Sequence, residues 1–398
     1  MDDGGLGVYV HVPFCERVCP YCDFAVVAAR RLGREREDAY VAALLAELAL
    51  RAPVYGRRPL ASLYLGGGTP SLLRPESIAR IVAAVHDAFP ARGPGEVTLE
   101  MNPGTTEREG LPAFREAGVN RLSIGVQSFD DAVLKRLGRA HRAEEGRLAL
   151  RAARAAGFEN VSLDLIFGAP GGSAAQLGRD LDEAVAFAPE HVSAYELTIE
   201  AGTPFELALR RAQLALPDED EGVRLFEVVE EKLEAAGLAR YEISSFARPG
   251  RTSLHNRRYW ERLPVLGIGM GAWSIDPPDR AAPFGARRAN VRDLDGYLAH
   301  TARGQPFDAG PRERLSEPTA RGEAVFLALR TVRGLDAGGF AAEFGSRPRA
   351  FFAKQIDELA AGGLLEEGGE GDLRLTRRGR LVSDSVFERF VSAPPLGR

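Results

Sequence analysis

Tyr9-Val-His-Val-Pro-Phe-Cys15-Glu-Arg-Val-Cys19-Pro-Tyr21-Cys22-Asp-Phe24 decides how this chain is read, because it joins an apolar strand-like run, Val8–Val12, to a loop that carries every cysteine. Three thiolates on one short loop can converge on a single ion or cluster, and a loop after a strand is where an α/β fold presents its ligands. An odd number of cysteines cannot pair evenly, and these lie too close together to staple distant parts of a fold. A reducing cytoplasm and a metal follow. Two metals compete. Zinc needs a fourth ligand, which His11 can supply as a Cys3His site. A [4Fe–4S] cluster on three cysteines keeps one iron open for another ligand.

Outward from this loop, short runs rich in Val, Ile, Leu or Tyr alternate with longer segments of helical period. The strands expected are Gly7–His11, Ser62–Leu65, Glu96–Glu100, Arg121–Gly125, Asn160–Ile166 and His191–Leu197. Helices are expected near Glu37–Arg51, Pro75–Phe89, Thr106–Ala117, Asp130–Gly157 (broken at Gly138) and Ala174–Phe187. Such alternation implies parallel strands with right-handed crossovers, and six units favour a partial (β/α)6 barrel over a flat doubly wound sheet.

After Leu216 the rhythm changes to a helix, Asp218–Ala236, the run Tyr241–Phe246, and a loop dense in Arg, Gly and aromatics to about Trp273. Asp276–Gly285 reads as an exposed turn or linker. From Leu315, helices at Ala320–Arg330, Asp336–Phe344 and Arg349–Ala361, strands Leu364–Glu366 and Leu373–Thr376, and a helix Arg378–Phe390 make a winged-helix pattern. The chain thus divides into an α/β core at 1–237, a linking α+β extension at 238–314 and a winged-helix-like domain at 315–398.

Composition excludes several partners. The 398 residues hold 51 Lys+Arg against 56 Asp+Glu, a net charge of −5, so no general basic field attracts nucleic acid or an acidic membrane. Residues 321–398 hold 12 Lys+Arg and 11 Asp+Glu, far from a basic DNA-reading surface. Val41–Leu50 is about half the roughly 20 residues that cross a bilayer, and it contains Glu47. The acidic start, Met1-Asp2-Asp3, lacks a secretory pattern. No nucleic acid, no integral membrane segment and a cytoplasmic location are expected.

Candidate residues cluster at strand ends. Gly66-Gly67-Gly68-Thr69-Pro70 follows the second strand, where missing side chains let backbone N–H groups approach an anionic or zwitterionic ligand. Glu100 ends the third strand, where an acidic residue is either a surface charge or an acceptor for a ligand. Gln127, Arg139 and Asp164 lie at corresponding depths, and Asp164 interrupts an apolar strand, where a buried carboxylate needs partners or a function.

The cysteine segment resembles the radical S-adenosylmethionine (SAM) superfamily, in which SAM chelates the open iron and an aromatic like Tyr21 lies beside its adenine. Over nearly the whole chain the resemblance is closest to the oxygen-independent coproporphyrinogen oxidase family, and within it to the HemW branch of haem chaperones. It implies cluster ligation by Cys15, Cys19 and Cys22. It also implies a SAM site of Tyr9, Tyr21, Gly67, Gly68, Thr69, Glu100, Gln127, Arg139 and Asp164, with a looser match at Thr198 and Trp273. The true oxidases carry a fourth cysteine where this chain has Phe24 and a longer segment before the first cysteine; both differences point away from porphyrinogen decarboxylation.

Leu254-His255-Asn256-Arg257-Arg258-Tyr259-Trp260 matches the chaperone branch's His-Asn-x-x-Tyr-Trp motif. An imidazole can ligate haem iron, Tyr259 and Trp260 can stack on the macrocycle, and Arg257 and Arg258 can pair with its propionates. A structural histidine packed against aromatics is the competing reading of His255. The function expected is therefore a chaperone that binds cluster, SAM and haem. It would deliver haem to acceptors such as respiratory haemoproteins, without oxidase turnover, with cluster and SAM serving mainly to organise the protein or its homodimer. A coproporphyrinogen III oxidase and a zinc-containing nucleic-acid-binding protein are the rivals.

Overall fold

The structure, a computed structural model, describes residues 4–29, 31–305, 307–308, 310 and 312–391. The start, Met1–Asp3, lies outside the described residues. Six runs with an apolar residue at every second position form strands β1 (Leu6–Val12), β2 (Leu60–Gly67), β3 (Ala91–Met101), β4 (Arg121–Gln127), β5 (Val161–Phe167) and β6 (His191–Glu196). They pair in parallel in chain order. Helices cover the outside of the parallel sheet, so the apolar set faces them and the alternate positions face the interior. Those helices are α1 (Arg34–Tyr55), α2 (Pro75–Ala88), α3 (Thr105–Glu116), α4 (Asp131–Arg136), α5 (Ala143–Ala155) and α6 (Ala174–Ala186). The break expected at Gly138 is present: the glycine takes φ +69° just past α4, and the Asp130 carboxylate caps α4 on the amides of Ala132 and Val133.

The stretch between 238 and 314 adds strands to both edges of this sheet. After α7 (Glu219–Ala235) come β7 (Ala239–Glu242) and β8 (Ser245–Ala247), then α8 (Leu254–Trp260), β9 (Val265–Ile268), β10 (Trp273–Asp276), β11 (Ala286–Ala289), α9 (Leu294–Arg303) and β12 (Glu313–Arg314). The result is one twelve-stranded sheet in the order β12-β11-β10-β9-β1-β2-β3-β4-β5-β6-β8-β7. β9 lies parallel to β1, whereas β8 runs antiparallel to β6.

Glu47, fully buried on α1, clamps this extension to the core. It accepts bonds from Arg51, the Asn290 amide nitrogen, Tyr297 Oη and the Gly269 amide at 2.7–2.9 Å. Asp276, expected in an exposed turn, is also buried: it pairs with Arg288 and Arg312 at 2.6 and 2.8 Å and accepts from Tyr55 Oη. The exposed turn begins after it.

Residues 317–390 form a second core. Helices α10 (Glu317–Leu329), α11 (Ala337–Phe344) and α12 (Arg349–Ala361) precede a hairpin of β13 (Leu365–Glu367) and β14 (Leu373–Leu375). The last helix is two, α13 (Arg377–Leu381) and α14 (Ser383–Glu388), parted where Val382 leaves helical geometry. The bend lets Val386, Phe387 and Phe390 enter the core. Among the described residues no helix is long and apolar enough to cross a membrane.

Candidate functional site

Side chains two apart on a strand share a face. On the inner face that period gathers polar groups: Ser62 and Tyr64 on β2, Glu96, Thr98 and Glu100 on β3, Arg121 and Ser123 on β4, Ser162 and Asp164 on β5, Ser193 and Tyr195 on β6. Above them, at the C-terminal strand ends, lies a cavity of about 470 Å³ that Cys15, Cys19 and Cys22 also line.

The sulfurs already accept donors, as thiolates in a cluster site do. Thr69 Oγ1 donates to Cys15 Sγ at 3.8 Å and Arg139 Nη1 to Cys19 Sγ at 3.5 Å. His11 does not join them. Its ring is buried, bonded to Tyr9 Oη at 3.1 Å and donating to the Ala25 carbonyl at 2.8 Å, so the Cys3His zinc site lacks its fourth ligand. Among the described residues no group of three His, Cys, Asp or Glu side chains is placed to hold a single metal ion.

Most residues proposed for SAM share this cavity: Tyr21, Gly67, Gly68, Glu100, Gln127, Arg139, Asp164 and Thr198. Glu100 accepts from Tyr64 Oη at 2.7 Å and the Gly67 amide at 3.0 Å. Burial, reinforced by Asp164, lifts its carboxyl from 4.5 to about 7 despite those donors. Burial also raises Asp164, which accepts from Ser123 Oγ at 2.9 Å. Arg139 bonds Asn102 Oδ1 and, at 3.1 Å, the Gly125 carbonyl. Gln127 sits at φ +64°, a left-handed conformation that costs a side-chain-bearing residue energy, where β4 slips register against β5.

Three residues stand elsewhere. Thr69 is buried and holds Cys15, while Tyr9 packs in the barrel against both Tyr64 and His255, its hydroxyl on His11. Trp273 is 56% exposed on β10 and lines neither large cavity. The glycine run also works differently from expectation. The amides of Gly67, Gly68 and Thr69 donate to Glu100, Val12 and Phe14. A Cβ on Gly67 would lie 2.4 Å from the His11 ring, and one on Gly68 2.7 Å from the Phe14 carbonyl. The glycines let β2 close on the cysteine loop; their N–H groups are not open to a ligand.

The His255 segment is a short helix rather than a loop. Ser253 Oγ caps it on Asn256, and the Glu96 carboxylate accepts from the amides of Leu254 and His255 at 2.9 and 3.1 Å. His255 is 1% exposed, stacks on Tyr64 with centroids 5.0 Å apart, and is bonded through both nitrogens, to Ser62 Oγ at 3.0 Å and Tyr259 Oη at 3.2 Å. Burial, with Arg258 and Arg121 nearby, lowers it to about 3, so the ring is neutral. Arg258, expected at a propionate, instead is buried and donates to the carbonyls of Gly5 and Pro264. Asn256 lines the cysteine cavity, while Arg257, Tyr259 and Trp260 line a second cleft of about 1070 Å³ against the C-terminal unit. Helix α8 is the partition between the two.

Sequence reading missed Asn102, which donates to Thr69 Oγ1 at 2.7 Å and accepts from Arg139, and Arg121, a buried cation 4.0 Å from Glu96 that lines the first cavity. The signal for Arg121 was available as a polar residue every second position along apolar strands. Asn256 stood in the His-Asn-x-x-Tyr-Trp motif, but only its packing puts it in the cysteine cavity rather than the second cleft.

Comparison with known proteins shows what the chain is similar to. A family model described as the radical SAM superfamily matches residues 9–184, and one described as the HemN C-terminal domain matches 315–382. The protein named heme chaperone HemW in Bacillus subtilis is 34% identical over 96% of this chain and 98% of its own. Its namesake in Mycobacterium tuberculosis is 38% identical over 97% and 95%, and that in Escherichia coli 34% identical over 97% and 98%. The structure of coproporphyrinogen III oxidase (HemN) from Escherichia coli superposes with a TM-score of 0.80 at 24% identity, covering 98% of this chain and 91% of that one, which shows the shared fold.

Proposed function

This chain belongs to the HemW family of heme chaperones, on a radical SAM scaffold, and from that premise we propose that it holds one [4Fe–4S] cluster, SAM and haem and passes the haem to acceptor proteins. The observation that carries the reading is the cavity on which three thiols, two raised carboxyls and the Arg139 guanidinium converge. Cys15, Cys19 and Cys22 would hold the cluster, which supplies an iron for SAM and, when reduced, an electron for its cleavage.

This chain's own groups do the rest. Glu100 and Asp164 receive the hydroxyl and ammonium groups of SAM, Arg139 offers its carboxylate a partner while bonding Cys19, and Tyr21 packs by the adenine. Gly67, Gly68, Gln127 and Thr198 complete the walls, and Thr69 and Tyr9 support from behind. Trp273 would join only by moving. At α8, Tyr259 and Trp260 offer flat faces to the macrocycle; His255 would reach iron only by releasing Tyr259. A cytoplasmic location, a dimer ordered by cluster and SAM, respiratory haemoproteins as acceptors and the division at 237 and 314 belong to the same proposal.

Anaerobic reconstitution tests it. We expect iron and sulfide, haem taken up on titration, and no protoporphyrinogen when coproporphyrinogen III and SAM are supplied under reduction. Sustained turnover would refute the chaperone reading; zinc without iron would refute the cluster.

A further inference from the structure

Resting on the haem-carrying role proposed above, we infer that the C-terminal unit is half of the haem site. The tetrapyrrole lies in the cleft between α8 and helices α10 and α11, with Tyr259 and Trp260 on one wall and Phe326 and Phe340 on the other. Space argues for it first. Pockets for drug-sized ligands run about 300–1,000 Å³; this cleft, at about 1070 Å³, exceeds that range, whereas the 470 Å³ cavity is already assigned to SAM. The aromatic side chains suit a flat apolar ring. Trp260 Nε1 is buried there with no acceptor among the described residues, and the Arg330 guanidinium lies 4.4 Å from the Trp260 ring, joining α8 to the end of α10.

Charge supplies the second argument. A haem carries two carboxylates, and guanidiniums pair with carboxylates through parallel donors. Of the acidic groups in the cleft, Glu323 pairs with Arg287 and Asp276 with Arg288 and Arg312, while Asp336 caps α11 on the Gly338 amide. Arg257 and Arg262 pair with Glu261 and Glu343, acids whose side chains are 38% and 45% exposed and easily displaced. Arg333 has no ion-pair partner among the described residues.

The Arg262–Glu343 pair, at 2.8 Å, spans the cleft from the residue after α8's cap to α11. Arg262 holds φ +53°, a strained conformation for a side-chain-bearing residue. A haem carboxylate would take Glu343's place on Arg262, and Glu343 would reclaim it when haem leaves. The haem thus sits on the opposite side of α8 from SAM, and the C-terminal unit has a binding role rather than a nucleic-acid one.

The test titrates haem into reconstituted full-length protein by its absorbance, for wild type, Ala342→Trp and Arg333→Glu. Ala342 is exposed on α11 and faces the cleft, so tryptophan fills space without entering a core. Both variants should bind haem at least about tenfold more weakly, a loss of about 1.4 kcal/mol, with cluster absorbance and SAM affinity unchanged. Hydrogen exchange on wild type provides a readout free of mutation: haem should protect 257–263 and 337–344. Wild-type affinity in both variants, or protection confined to the cysteine loop, overturns the site alone. Wild type that takes up no haem overturns the functional reading and the site with it.

Discussion

Glu100→Gln replaces a carboxyl that burial holds at about 7 with a neutral isostere. Between 4.5 and about 7 the folded protein binds a proton that the unfolded chain has released, so wild-type stability falls as pH rises through that window. At about 1.4 kcal/mol per pK unit the full penalty is about 3 kcal/mol; part of Glu100 faces the open cavity, and water there reduces it to about 1.5–3 kcal/mol. Glutamine does not titrate. It keeps an acceptor for Tyr64 but sets an N–H₂ against the Gly67 amide, which costs about 1 kcal/mol at every pH.

For protein without cluster or SAM, urea unfolding at about pH 5 should therefore find the variant no more stable than wild type. At about pH 8.5 the difference should shift in the variant's favour by about 1.5–3 kcal/mol. SAM affinity should fall at least about tenfold in the same variant, since the charged acceptor is gone. A stability difference that stays constant across the two pH values would refute the raised carboxyl.

Cys22→Ala should abolish the visible absorbance of the reconstituted cluster while haem titration changes little; retained absorbance and iron would show that Cys22 is no ligand. His255→Ala should weaken haem binding and leave the cluster intact, because Tyr259 loses the partner that fixes its hydroxyl; an unchanged haem titration would refute it. Glu47→Ala should cost about 3–5 kcal/mol in denaturant unfolding, since Asn290, Tyr297 and the Gly269 amide lose a buried acceptor and Arg51 keeps only Asp308 as an ionic partner, and a loss under about 1 kcal/mol would mean that the network is dispensable.

The alternation of strands and helices was legible because each element has its own period, and boundaries fell within a few residues wherever burial imposed one. The cysteine loop was legible because its three ligands are neighbours in sequence. The edge strands were not. β9 lies beside β1 although some 250 residues separate them, and no local pattern names a partner so distant. The glycine run was located correctly and explained wrongly, because which acceptors its amides meet depends on β1 folding against β2.

The sequence by itself determined the repeating α/β core, the three thiols on one loop and the family, since these rest on local period and on motifs of adjacent residues. Only the tertiary structure decided what faces what. It turned Arg258 inward, closed both nitrogens of His255 on neighbours from β2 and α8, and made one seven-residue helix the floor of one cavity and the wall of another. The physical reason is the same in each case: a buried polar group must find its partner wherever the fold brings one within about 3 Å, and sequence distance carries no record of that approach.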